Sequence, residues 1–402
     1  MDEINIKKIP WQPKLRGFSL GLLIMLCVMY QAYFYGISIE KGINGPGWQR
    51  SALKLLGLMF FYLSILKAFS LQAMMRNFSL KLPILFFAIV TIFVSPFLGP
   101  FELQAINMCF FLPLFAIDFN KFKGEFLFNR FFSILSLILL IQVVLDPGLK
   151  FITGIGQDNM ALIGGVGNAN SFGYMLLCSA IYFFLCSKNR LIFYFLCLAS
   201  IFTGSLVILI ISGSIVFLSV FDNIRKLKFL NLIAICIIVG ALFFLLDFFY
   251  EENLESFLKG VSHSITKFLS LLSFLEGSQF QSASISIRKE YTDEGLRLIS
   301  DNPLSLFFGH PEMTALYTGD GWWLALLVSH GLIWTFLFFV CNVLVFLKGF
   351  KLRTPEGRCS SFLIFLTCII LVTNRILDYW PAAIVYIFVF AYVCNRNLKV
   401  LA

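Results

Sequence analysis

Two side chains in one polar stretch of this sequence have the type and setting to do chemistry: the guanidinium of Arg288 and the carboxylate of Asp320. On a helix, Arg288, Tyr291, Gly295 and Ile299 would fall near one face, and Lys289, Asp293 and Arg297 near another. Asp293 lies four residues before Arg297, so a helix-surface ion pair accounts for that arginine. Arg288 has no carboxylate at i+3 or i+4 and shares its face with an aromatic residue and a glycine. Such a guanidinium suits bidentate binding of a phosphate or diphosphate, with lipid headgroups as the alternative partner. Asp320 stands at the mouth of an apolar helix, with Leu324, Leu327 and Gly331 expected beneath it on one face. A carboxylate there can take a proton from a hydroxyl; an aspartate before an apolar run is equally an ordinary helix N-cap.

Other candidates surround this pair. Trp322 and Trp323 read as interface anchors, a role compatible with stacking on a sugar ring. His310, beside Pro311 and Glu312, can titrate or bind, and surface histidines are common. His330 would lie about 15 Å below Asp320 on a continuous helix and reads as a buried neutral side chain. The three histidines have no metal-ligand spacing and no Asp-x-Asp pair occurs, so a mechanism without metal or cofactor is expected. Arg375 and Asp378 lie close together in a polar turn, where a mutual salt bridge competes with a substrate-facing role for the arginine.

The elements that must hold these residues are membrane helices. Hydrophobic residues make up 59% of the 402-residue chain and charged residues 13%, where about 25% charged is usual for a soluble globule. Apolar stretches long enough to cross a core of about 30 Å recur along the sequence. They fall at 18–36, 51–69, 80–96, 101–117, 127–145, 171–187, 190–204, 206–221, 229–249, 320–347, 360–376 and 380–394, about twelve spans in an all-α polytopic membrane protein. With the N-terminus placed in the cytoplasm, 21 of the 31 lysines and arginines fall in inner segments and 5 in short outer connections. The positive-inside rule then puts both termini in the cytoplasm and the long loop outside. The net charge of +9 follows from that asymmetry and does not call for nucleic acid. The first apolar run lacks a small-residue cleavage site and is expected to be a retained helix. The ten cysteines lie in or beside expected helices, so disulfides are not expected.

Three regions result: residues 1–250 with nine spans and a smaller outer loop at 146–170, a long outer loop at 251–319, and residues 320–402 with three more spans. The smaller loop runs from Asp146-Pro147-Gly148 to Gly167-Asn168-Ala169-Asn170, and its glycines and asparagines suit irregular backbone close to a ligand or helix end. In the long loop, 253–275 has the spacing of a helix lying in the interface. Residues 284–300 read as a shorter helix stopped by Asp301-Asn302-Pro303. No strong internal repeat is visible and charges within the spans are scarce, which speaks against an ion-coupled transporter.

This arrangement resembles the O-antigen polymerase and O-antigen ligase superfamily (Wzy-type and WaaL-type), in topology and in three short motifs. Gly167-Asn168-Ala169-Asn170-Ser171-Phe172-Gly173 is similar to its glycine–asparagine motif. Ser286-Ile287-Arg288 followed by Asn302-Pro303-Leu304 and Gly309 is similar to its loop arginine and the turn after it. Asp320-Gly321-Trp322-Trp323-Leu324, before Gly331, is similar to its return into the membrane. Ligases of the superfamily carry histidine where this chain has Asp320, which favours a polymerase. Many members also carry an arginine before the glycine–asparagine motif, whereas residues 151–170 hold no basic residue.

The resemblance implies a glycosyltransferase in the bacterial inner membrane with its active site on the periplasmic face. Its donor and acceptor would be undecaprenyl-diphosphate-linked oligosaccharides, with membrane lipid around it and a chain-length regulator protein as a candidate partner. Arg288 and Asp320 would be catalytic. Arg297, Lys289, Tyr291, Asn168, Asn170, His310, Trp323 and Arg375 would contact substrate. The alternatives are a ligase that moves polymer to lipid A-core, and a polysaccharide flippase or transporter.

Overall fold

The computed structural model describes residues 47–94, 111–120, 124–153, 162–164, 168–223, 290, 293–297, 299–300, 303–309 and 322–397. Among the described residues the structure is mostly helical, with one isolated bridge between Phe69 and Ile117 and no strand. Long apolar runs fold this way because a helix satisfies its backbone polar groups internally, without water. The helices are α1 (Gly47–Ile65), α2 (Leu71–Met75), α3 (Phe78–Val94), α4 (Gly124–Thr153), α5 (Ala169–Tyr182), α6 (Arg190–Ile201), α7 (Leu206–Asn223), α8 (Pro303–Phe308), α9 (Trp322–Lys351), α10 (Pro355–Thr373) and α11 (Trp380–Asn395). A 3-10 turn covers Leu112–Ala116, and α5 continues as a π-helical turn over Phe183–Ser187.

Among the described residues, four stretches are long and apolar enough to cross a membrane: Gly124–Asp146, Ala169–Ser187, His330–Lys351 and Pro355–Val372. This is the architecture of an all-α membrane protein. The pair expected at 190–204 and 206–221 is present as α6 and α7, turned by Thr203 and Gly204. At 12 residues, α6 spans only about 18 Å. The spans expected at 18–36 and 229–249, most of 101–117 and the interface helix at 253–275 lie outside the described residues.

Burial sorts the helices into a centre and a ring. Every residue from Ser171 to Tyr182 in α5 and from Pro381 to Asn395 in α11 is buried. A helix apolar on all sides belongs in such a centre. Phe131 of α4 stacks on Phe388 of α11 with ring centroids 4.1 Å apart, and the Tyr174 hydroxyl meets the Thr367 hydroxyl of α10 at 2.8 Å. The ring helices turn apolar side chains outward instead: Leu332, Ile333, Phe336 and Phe339 on α9, and Phe362, Phe365 and Val372 on α10, are all exposed. So much exposed apolar surface marks a face that meets lipid.

Two expectations are corrected here. The apolar run at 127–145 does not end in a loop at Asp146; α4 continues to Thr153 across Pro147 and Gly148. The run at 320–347 is not one helix. Gly331 has φ 79° and ψ 175°, a conformation that breaks α9 in two. A straight helix would hold residues 323 and 338 about 22 Å apart. The Trp323 ring instead packs on Phe338 and Phe339 with centroids 5.5 and 5.9 Å away, so Trp322–His330 folds back on the helix that follows. Leu324, Leu327 and Gly331 therefore do not descend as one stripe into the membrane. A β-carbon on Gly331 would sit 2.3 Å from the Phe307 carbonyl oxygen of α8.

The end of the bundle carrying Lys81, Lys348 and Arg396, here the basic end, is held by hydrogen bonds to the C-terminus of α11. The Cys394 carbonyl accepts from Asn77 (2.6 Å) and Lys348 (2.9 Å), and the Asn395 carbonyl accepts from Arg76 (2.6 Å) and Asn120 (2.7 Å). The Asn395 side chain donates to Phe115 and Ile117 carbonyls, both at 2.8 Å, and accepts from Lys81 at 2.7 Å. Lys81, fully buried, also donates to the carbonyls of Ala73 (2.8 Å), Met74 (3.0 Å) and Phe115 (3.2 Å). Arg76 pairs with Asp118 at 3.5 Å, and Arg396 pairs with Glu125.

Lys81→Met is expected to lower the melting temperature of the detergent-solubilised chain markedly, since each carbonyl left dry costs about 1–3 kcal/mol. Gly331→Ala is expected to destabilise by about 1–3 kcal/mol from backbone strain alone, with more from the collision at Phe307. An unchanged thermal unfolding curve for either variant would contradict the packing described.

Candidate functional site at the loop end

The opposite end of the bundle, here the loop end, gathers the sequence-predicted residues that the structure describes. Asn168 caps α5: its side-chain oxygen accepts from the Ser171 N–H at 2.9 Å, and its Nδ2 donates to the Tyr379 hydroxyl at 2.9 Å. One asparagine thus ends a helix and ties it to the turn between α10 and α11. Arg375, half-buried, opens that turn, preceding the 3-10 segment Ile376–Asp378. Asn170 lies in the first turn of α5, half-buried, and its amide makes no hydrogen bond among the described residues. Gly173 completes the motif for a packing reason. A β-carbon there would meet the Thr203 hydroxyl at 2.9 Å and Ile208 at 3.0 Å, so α5 can approach α7 closely only without one.

Trp323 is not a free stacking platform. Its Nε1 donates to the Cys368 carbonyl of α10 at 3.0 Å while its ring packs on α9, which anchors the folded-back segment in the bundle. Arg297 lies in a helical stretch covering 293–297 and is exposed, as is Asp293. No ion pair joins the two among the described residues, so the expected i−4 bridge is not formed; two exposed side chains gain too little to hold one geometry. Ile299, two residues after Arg297, is buried against Ala325 and Val328, with Leu306, Leu324 and Leu327 around them. The chain just after Arg297 is therefore docked on the folded-back helix. Pro303 does more than stop the preceding helix: it begins α8, and Gly309 (φ 85°) follows the end of α8. A proline inside the start and a glycine past the end is the usual asymmetry of a short helix, and it accounts for the Asn302-Pro303-Leu304 to Gly309 spacing. Arg288, Lys289, Tyr291, His310 and Asp320 lie outside the described residues.

Sequence reasoning passed over two polar residues on α4. Asp146, assigned to the smaller loop at 146–170, is a fully buried helix residue. Its carboxylate accepts from the Ile163 N–H at 3.3 Å, and the Leu162 N–H donates to the Phe202 carbonyl at 2.8 Å. Together these bonds hold the strand of chain that leads into the glycine–asparagine turn. Gln142 lies one turn earlier, buried, with neither amide atom hydrogen-bonded among the described residues. The signal was available: Gln142 and Asp146 are an i, i+4 polar pair in an otherwise apolar run.

The loop end therefore offers amides, a hydroxyl and an arginine on a rigid base, a set suited to hydrogen-bonding an oxygen-rich ligand. No protein-family model matches this chain, and no curated protein matches it.

Asn168→Ala removes both the cap and the bond to Tyr379 and is expected to cost about 1 kcal/mol or more. Asn168→Asp keeps the acceptor for the Ser171 N–H but removes the donor to the Tyr379 hydroxyl, so it is expected to retain the cap and to lose the tie as it stands. Thermal unfolding of the two variants beside Tyr379→Phe separates the cap from the tie.

Proposed function

We propose that this protein is an O-antigen polymerase, a metal-independent glycosyltransferase. It would move a growing glycan from undecaprenyl diphosphate onto a new lipid-linked repeat unit. The chain would cross the bacterial inner membrane about twelve times, with both termini cytoplasmic. The loop end would then face the periplasm. The observation that carries the reading is the Asn168–Tyr379 bond. It joins Asn168, the cap of α5, to the turn between α10 and α11 that begins with Arg375, at the end of the bundle where Trp323 follows Asp320 in sequence.

In the reaction, an acceptor hydroxyl oxygen attacks the anomeric carbon of the donor glycan and the bond from that carbon to the diphosphate oxygen breaks. Arg288 stabilises the charge gathering on the departing diphosphate, a task for which a preorganised cation supplies a large part of the rate. Asp320 takes the proton from the acceptor hydroxyl. Amides and hydroxyls at the loop end orient the sugars.

Deletion of the gene is expected to leave core carrying a single repeat unit on lipopolysaccharide gels. Bare core would point to the ligase or flippase instead. In the complemented strain, Arg288→Ala is expected to abolish the long ladder at unchanged protein level. Asp320→Asn isolates the base from the cap, because asparagine caps a helix as well as aspartate does. A loss of about 10²–10⁴ in polymerisation rate is expected for a base, and no loss for a cap.

A further inference from the structure

Helix α8 sits in a part of the chain whose sequence reads as aqueous loop, yet Pro303-Leu304-Ser305-Leu306-Phe307-Phe308 contains no charged residue. Its side chains divide sharply. Leu306 turns inward against Ala325, Val328 and Ile299, whereas Leu304, Phe307 and Phe308 are 66%, 45% and 67% exposed. Two phenylalanines turned to water would be a costly arrangement, worth roughly 1.5–3 kcal/mol each on full burial.

The neighbours of α8 say what covers them. The backbone of Phe307 and Phe308 lies directly against Gly331, where a β-carbon would come within 2.5 Å of both. Gly331 is the second residue of the apolar stretch His330–Lys351, whose 22 residues extend about 33 Å, against a hydrocarbon core of about 30 Å. Only 28% of the apolar window in that stretch is buried in the protein, and its first turns expose Leu332, Ile333 and Phe336. The exposed phenylalanines of α8 thus lie at the level where the lipid-facing surface of α9 begins, and continue it.

We propose that α8 is a membrane anchor, with Phe307 and Phe308 seated in the edge of the bilayer hydrocarbon at the loop end. Aromatic and leucine side chains on a short amphipathic element are suited to that depth. The anchor holds Ile299, packed beside it, and with it the nearby exposed Arg297, in the headgroup plane, where the charged groups of lipids lie. The proposal rests on α9 crossing the membrane and not on the activity proposed above.

The test places a photoreactive benzoylphenylalanine at position 308 of the full chain, reconstituted in vesicles of phosphatidylethanolamine and phosphatidylglycerol with radiolabelled acyl chains. The same group at Phe336, on the lipid face of α9, and at Glu294, exposed on the polar stretch, sets the upper and lower limits. Acyl-chain adducts at 308 are expected to match those at 336 and to exceed those at 294 clearly. Background labelling at 308 while 336 labels overturns the proposal, and so does a crosslinked dimer at 308 in place of the lipid adduct.

Discussion

Because α11 is buried on every side, the carbonyl groups at its C-terminal end have only protein to bond to. A helix leaves its last carbonyls without intrahelical partners, and inside a membrane protein water does not supply them. Arg76, Asn77, Asn120 and Lys348 reach those carbonyls from three separate parts of the chain, and Lys81 and the Asn395 side chain join two more to them. Two of the donors to these carbonyls are cations, which the negative end of a helix dipole favours. From this knot α11 runs back through the centre of the bundle to Trp380, where it begins at the opposite end.

At that opposite end the break at Gly331 does the positioning. A continuous helix would carry Trp323 well away from the bundle; the reversal brings it instead to Cys368 and turns Ala325 and Val328 toward Ile299 and Leu306. Chain segments that are separate in the sequence are thereby joined: α8 docks on the folded-back segment, and that segment docks on the rest of α9 and on α10. The cost is a backbone conformation open only to glycine. Asn168 performs the matching task for α5, with one side chain serving as helix cap and as cross-link to Tyr379.

These two devices give physical content to motifs that in the sequence were only spacings. The glycine–asparagine motif is a cap, a tie and a close helix approach. The proline-to-glycine spacing is one short helix with its start and stop. None of this chemistry makes or breaks a glycosidic bond; Arg288 and Asp320, the residues proposed to do so, lie outside the described residues.

Much of the framework was legible in the sequence. Apolar runs of bilayer length announced α1, α3, α4, α5, α9, α10 and α11, because a chain in lipid has no other way to satisfy its backbone. The turn at Thr203-Gly204 was enough to separate α6 from α7. The glycines and asparagines around Asn168 stood out as irregular backbone close to a helix end. What the sequence misread were places where a local signal lost to packing. Asp146-Pro147-Gly148 looks like a loop, yet α4 runs through it because a buried Asp146 has a backbone N–H at Ile163 to bind. Trp322 to Lys351 looks like one helix, yet it reverses, because the carbonyl of Phe307 occupies the space a side chain at 331 would need. The Asp293–Arg297 spacing promised an ion pair that neither exposed side chain keeps. The sequence by itself determined that the chain is a bundle of membrane helices and where its polar motifs fall. Only the tertiary structure decided which of those residues meet, since contacts between residues hundreds of positions apart depend on the packing of whole helices and leave no local periodicity to read.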